Sequence, residues 1–125
     1  MIEHQVKDGY IYFKHRSEWN SRLYQCRLHV DHYASNDRPA LVMECYELEG
    51  EYWEPYAELT TNVLDRRMPP EYVALDINNF GRALEVIEGL GIGSLTNITV
   101  RSGFCTYPVV ELNLEVFEDG KYERK

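Results

Sequence analysis

The sequence predicts an α+β fold: an antiparallel sheet of about five or six strands with one main helix at about residues 80–90. Three observations carry this expectation. Apolar and polar residues alternate at period two in several separate segments, the pattern of half-buried strands. Helical spacing is convincing in one place only, where Phe80, Leu84, Ile87 and Leu90 recur. Strands and helices do not alternate in the βαβ rhythm that a doubly wound fold requires. A chain of 125 residues is the size of one domain. A single domain over 1–125 is therefore expected, with residues 1–9 and 118–125 frayed.

The elements follow in order. Tyr10-Ile11-Tyr12-Phe13 is a short first strand. Arg22 to Tyr33 alternates, with Tyr24, Cys26, Leu28 and Val30 on one face. Ser35-Asn36-Asp37-Arg38-Pro39 is a turn cluster, since Asn and Asp tolerate turn dihedrals and Pro removes a ladder donor. Ala40 to Leu48 is another alternating strand. Glu49-Gly50-Glu51 is expected to be a tight connection, and Trp53 to Asn62 the returning strand, with Trp53, Ala57 and Leu59 sharing a face. Pro55 marks that strand as an edge or an irregular start. The double proline after Asp65 makes a loop, and Tyr72 to Ile77 a short strand. Asn78 or Asn79 is expected to cap the helix, and Gly91 to stop it. Ile98-Thr99-Val100 is a strand candidate, Ser102-Gly103 a turn, and Phe104 to Phe117 a long last strand interrupted at Pro108.

Charge narrows the function classes. Thirteen basic against 21 acidic residues give a net charge of -8. That balance disfavours direct binding to nucleic acid or anionic membrane and permits basic protein partners. No stretch approaches the roughly 18 apolar residues of a membrane span, and the N-terminus lacks the pattern of a signal peptide. Cys26, Cys45 and Cys105 are an odd number without paired spacing. They argue against a secreted disulfide scaffold and for a reducing cytoplasm. Ten tyrosines suit strands first and interfaces second.

Chemistry-bearing patterns are weak. Cys26, His29 and His32 are spaced for a helix face, but on a strand His29 points away from the other two. No CxxC completes a zinc set, so no metal and no cofactor are expected. Cys105 has only Arg101 nearby to lower its pKa, and a buried core thiol is the commoner fate. Gly89, Gly91 and Gly93 follow a helix rather than precede one, and no Lys-Ser/Thr comes after, so they make no phosphate loop. No pair of carboxylates stands out for acid–base work.

One stretch is distinctive. From Pro39 to Asp65 there is no Lys or Arg, while Glu44, Glu47, Glu49, Glu51, Glu54 and Glu58 alternate with Tyr46, Tyr52, Trp53 and Tyr56. A solvated face whose charges discourage edge pairing is the plain explanation. The functional one is a surface that imitates the spaced charge of a nucleic-acid backbone and fills a basic groove.

Several segments also resemble a known family. Leu59-Thr60-Thr61-Asn62-Val63, Ala74-Leu75-Asp76-Ile77-Asn78-Asn79, Leu90-Gly91-Ile92 and Ser102-Gly103-Phe104-Cys105-Thr106-Tyr107-Pro108 follow in this order. They resemble, over about residues 40–117, a domain-of-unknown-function family of small acidic bacterial proteins. That family is carried by phages and conjugative elements of gut Firmicutes. The resemblance implies no established activity or catalytic residues. Its mobile-element setting implies a host-defence countermeasure of the anti-restriction or anti-CRISPR type. This chain departs from the pattern in a longer N-terminal segment and a more acidic central hairpin.

The expectation is thus a cytoplasmic protein-interaction module, not an enzyme, inhibiting a nucleic-acid-binding host defence complex by DNA mimicry. Its partner-binding residues would be Glu44, Glu47, Glu49, Glu51, Tyr52, Trp53, Glu54 and Glu58, set against a basic protein surface. It would contact neither nucleic acid nor membrane directly, and homodimerisation is an open alternative. The competing expectation is an oligomeric, small-molecule or metal-binding protein that uses Cys105 and the histidines.

Overall fold

Two antiparallel sheets, rather than one, form in this computed structural model, which describes residues 2–17, 20–46, 52–63 and 67–118. The first sheet is a five-stranded meander in the order β1 (His4–Lys7), β2 (Tyr10–Arg16), β3 (Leu23–His32), β4 (Pro39–Tyr46), β5 (Glu54–Glu58). The second has four strands: β6 (Thr60–Thr61), β7 (Tyr72–Leu75), β8 (Gly93–Ser102) and β9 (Cys105–Leu112), in the order β6-β7-β9-β8. One helix, α1 (Ala83–Gly89), joins β7 to β8, and a 3-10 turn over Leu114–Phe117 follows β9. The fold is mainly β, and only loosely α+β.

The segment expected to be one returning strand is where the sheets divide. Leu59 donates its N–H to the Leu41 carbonyl at 3.0 Å, while its own carbonyl accepts from Asp76 N at 2.9 Å. That residue therefore hydrogen-bonds to the first sheet on one side and to the β7–α1 connection on the other. Beside it, the buried Thr60 hydroxyl accepts from Leu41 N at 3.2 Å and lies 2.9 Å from the Tyr33 hydroxyl. Burial, partly offset by the Thr60 hydrogen bond, holds the Tyr33 phenol above its ordinary value, and the Glu58 and Asp76 charges add to the rise. Tyr33→Phe is expected to cost about 1 kcal/mol, because it strips a buried hydroxyl of its partner. The raised phenol stabilises the fold below the unfolded tyrosine value of about 10, and that contribution disappears as pH climbs through the folded value. Alkaline unfolding followed by circular dichroism should therefore fall less steeply in Tyr33→Phe than in the native chain.

The core lies between the inner faces of the two sheets and α1. Ile11, Phe13, Cys26, Leu28, Leu41 and Met43 come from the first sheet, Val73, Leu75, Val110 and Leu112 from the second, and Ala83, Val86 and Ile87 from α1. Period two thus assigned the inner side of β3 correctly: Cys26 and Leu28 are fully buried, with Tyr24 and Val30 packed at the margins. A smaller cluster of Met68, Ala74, Val100 and Val109 sits on the far side of the second sheet. Arg38 fixes the loop over it, donating to the carbonyls of Met68 at 2.7 Å and Pro69 at 3.1 Å.

Several expectations need correction. Residues 4–7, expected to fray, form β1 and pair with β2. The helix begins at Ala83, and neither Asn78 nor Asn79 caps it: Arg82 is at the cap position without a side-chain cap bond, and the Asn79 amide donates to Asp76. Gly91 does end the helix, at φ 71°, in a Schellman pattern with Gly91 N donating to the Glu88 carbonyl and Ile92 N to the Ile87 carbonyl. Phe104 opens no strand. Gly103 (φ 62°) and Phe104 are the two turn residues between Ser102 and Cys105, and the positive φ at the first central position fits a II′ hairpin. The last strand ends at Leu112, so the alternation of Leu112, Leu114 and Val116 runs into a 3-10 turn. The expected connection Glu49-Gly50-Glu51 and the tail beyond 118 lie outside the described residues.

The cysteines also pair. Cys26 and Cys45 face each other across β3 and β4 and are joined as a disulfide, leaving Cys105 as the free thiol. An odd count concealed one cross-strand pair and one single residue.

Candidate functional site

Alternation that buries one face of the first sheet turns the other face to solvent. On β2, Ile11, Phe13 and His15 are buried, so Tyr10, Tyr12 and Lys14 point outward. On β3 the outward set includes Gln25, Arg27 and His29, and on β4 Val42, Glu44 and Tyr46. Register then assembles them into rows. Gln5, Tyr12, Arg27 and Glu44 are successive cross-strand neighbours, and so are His29, Val42 and Glu58.

Arg27 is the centre of this face. Its guanidinium carbon lies 4.2 Å from the ring centroid of Tyr10 and 4.2 Å from that of Trp53. Its Nε donates to the Glu44 carboxylate at 2.8 Å. Side-chain exposures of 18% and 21% show that this ion pair is largely shielded. Partial burial would lower the guanidinium's pKa, but hydrogen bonds to Glu44 and Tyr12 and the Glu44 charge outweigh it and hold the value above the ordinary one. A cation between two ring faces gains from their quadrupoles. His29 packs edge-on against Tyr10 at 5.3 Å, and its Nδ1 lies 3.9 Å from Glu44.

Trp53, like Glu44 and Tyr46, comes from the acidic stretch. Besides Arg27 it meets Tyr46 at 4.6 Å with the rings perpendicular, and Tyr12 at 5.9 Å. It therefore does not share a face with Ala57 and Leu59, as the alternation predicts. The ladder slips between Met43 and Glu44, so Ala57 pairs with Met43 and Pro55 with Glu44, and Tyr56 is left over. That extra residue is a bulge, and a bulge reverses the facing of everything beyond it. Tyr56 turns inward to His15, Tyr24 and Phe80, and Trp53 emerges outside.

The residues expected to bind a partner thus have different fates. Trp53 is half-buried in the aromatic cluster, and Glu44 is held by Arg27. Tyr52 is 76% exposed. Glu54 and Glu58 are exposed at the two ends of edge strand β5. Glu47, Glu49 and Glu51 lie outside the described residues. Sequence reasoning missed Tyr10, Tyr12 and Arg27. Their signal was present as the outward half of two alternating strands, but only the register between β2 and β3 brings them under Trp53.

The residues of the competing expectation do not converge. Cys26 is in the core and disulfide-bonded, whereas His29 is on the opposite face of the same strand. Among the described residues no three His, Cys, Asp or Glu side chains are grouped to hold a metal. Cys105 sits at the start of β9, where its hydrogen bond raises the Tyr107 phenol above its ordinary value. No helix among the described residues is long and apolar enough to cross a membrane.

The family model described as "Domain of unknown function (DUF4313)" matches residues 27–124. The matched region begins at Arg27, so Glu44, Tyr46 and Trp53 fall inside it and Tyr10 and Tyr12 outside. No curated protein and no solved structure matches the chain.

Proposed function

The chain belongs to the DUF4313 family, whose description assigns no function, and we propose that it is an acidic protein-interaction module acting by contact rather than catalysis. Its outer sheet face and the adjoining glutamates would dock on a basic surface of a nucleic-acid-binding protein and exclude the nucleic acid from it. The single observation that carries this reading is Trp53, placed at 4.2 Å over an ion-paired arginine on a solvent-facing sheet and belonging to a stretch from Pro39 to Asp65 with no Lys or Arg.

Two physical points support it. Arg27 is neutralised by Glu44, so the positive charge within the platform does not cancel the glutamates around it. Trp53 is already packed against Arg27, Tyr12 and Tyr46, so little side-chain entropy is left to lose on binding, and rigid aromatic anchors are enriched among the residues that dominate interfaces. The runner-up, an ordinary solvated face, accounts for Glu54 and Glu58 on an edge strand. It does not account for the aromatic cluster.

The test is capture by the immobilised chain from a lysate of its own cell, eluted with increasing salt or with excess duplex DNA. A partner bound through carboxylates in a nucleic-acid groove is released by both, because screening and competition act on the same contacts. A partner that resists duplex DNA would contradict the mimicry.

A further inference from the structure

We propose that the outer face of the five-stranded sheet is self-complementary and that a second copy of this chain docks on it. The inference uses the same face as the reading above but does not rest on the partner named there.

Charge is distributed unevenly across this face. At the β1–β2 side, Lys7 and Lys14 are exposed on outward positions. At the β5 side, Glu58 is exposed on the outward position opposite Val42. Between them are the partly exposed Tyr10, Tyr12, Arg27, His29, Val42, Tyr46 and Trp53, with Arg27 and Glu44 neutralising each other. Lys7 is paired with Tyr10, Tyr10 contacts His29, His29 is paired with Val42, and Val42 with Glu58. One row thus runs across the whole sheet from a cation at one edge to an anion at the other.

The symmetry follows from that row. Two sheets packed face to face sit about 10 Å apart with their strands within about 30° of parallel. A twofold axis along the central strand β3 exchanges the two edges, so β1 of one copy lies over β5 of the other. Lys7 of each copy then faces Glu58 of its mate, and the aromatic residues of both fill the space between. Such an isologous contact closes on itself as a dimer and does not propagate. An interface with an aromatic centre and a charged rim is also the ordinary anatomy of a protein–protein contact. Asp31 lies two residues beyond this row, near the end of β3. Self-association covers Trp53 and Glu58, so dimerisation and binding of a basic partner are mutually exclusive.

Sedimentation velocity of the full chain from about 5 µM to about 500 µM tests this directly. The native chain should pass from monomer to dimer. Lys7→Glu and Glu58→Lys should each weaken the dimer about tenfold, because each places like charges at two symmetric rim contacts. The combined variant should recover native association, since the charges are only exchanged. Both positions are exposed, so thermal unfolding should be unchanged and a misfolded variant would be recognised by it. A chain that stays monomeric throughout, or a dimer that ignores the single reversals, would overturn the proposal. Either result leaves the partner reading standing, because that reading is measured by capture of another protein.

Discussion

Replacing Cys26 and Cys45 together by alanine is expected to lower the unfolding free energy by about 3 kcal/mol, the loop-closure contribution of a disulfide spanning a loop of this size. The two cysteines are 19 residues apart in sequence, at directly opposed positions of β3 and β4. Both are buried, at 0% and 4% exposure, with Phe13 opposite Cys26 on the other neighbouring strand. The bond therefore restrains the unfolded chain without demanding room in the native one. Urea unfolding should show a lower midpoint for the double variant, and also for the native chain under strong reductant. Mild reductant should act slowly, because the sulfurs must first be exposed by local opening. Identical midpoints with and without reduction would show that the bond contributes nothing.

Trp53→Ala is expected to reduce partner affinity at least about thirtyfold, the effect of truncating an aromatic hot spot worth about 2 kcal/mol. The cost to the fold should be smaller, about 1 kcal/mol, since the lost contacts are one cation–π pair and two edge-on ring contacts on a solvent-facing surface. Trp53→Phe should recover part of the affinity, because a smaller ring retains a face for Arg27. Competition binding against the native chain, read beside thermal unfolding of each variant, separates the two effects. Equal affinity in Trp53→Ala would remove the outer face from any account of binding.

The fold's local grammar was readable in the sequence, and its global arrangement was not. Alternation over 23–32 and 40–46, a turn between those strands and the stop at Gly91 appear where residue chemistry puts them. The Cys26–Cys45 pair escaped the sequence reading, although both cysteines are on the inward face of that hairpin at opposed positions. What else escaped depends on contacts distant in sequence. Leu59 bonds to both sheets only because Leu41 and Asp76 present their groups on opposite sides of it. Trp53 faces outward because of a bulge opposite β4, and a bulge leaves no mark in the period-two pattern before it. Arg27 acquires its partners from β2 and from the acidic stretch, neither of which is adjacent to it in the chain. Of the candidate site, the acidic residues were legible from composition. The platform beside them was not, because it exists only in the register of three strands.

Charge reversal at Glu49, Glu51 and Glu54 together tests the central claim most directly. The triple Glu→Lys variant and the native chain should be immobilised at equal density and exposed to the same lysate at physiological salt, with thermal unfolding recorded for both. An acidic module that fills a basic groove predicts unchanged unfolding and complete loss of the captured protein. Capture that survives the triple reversal would contradict it.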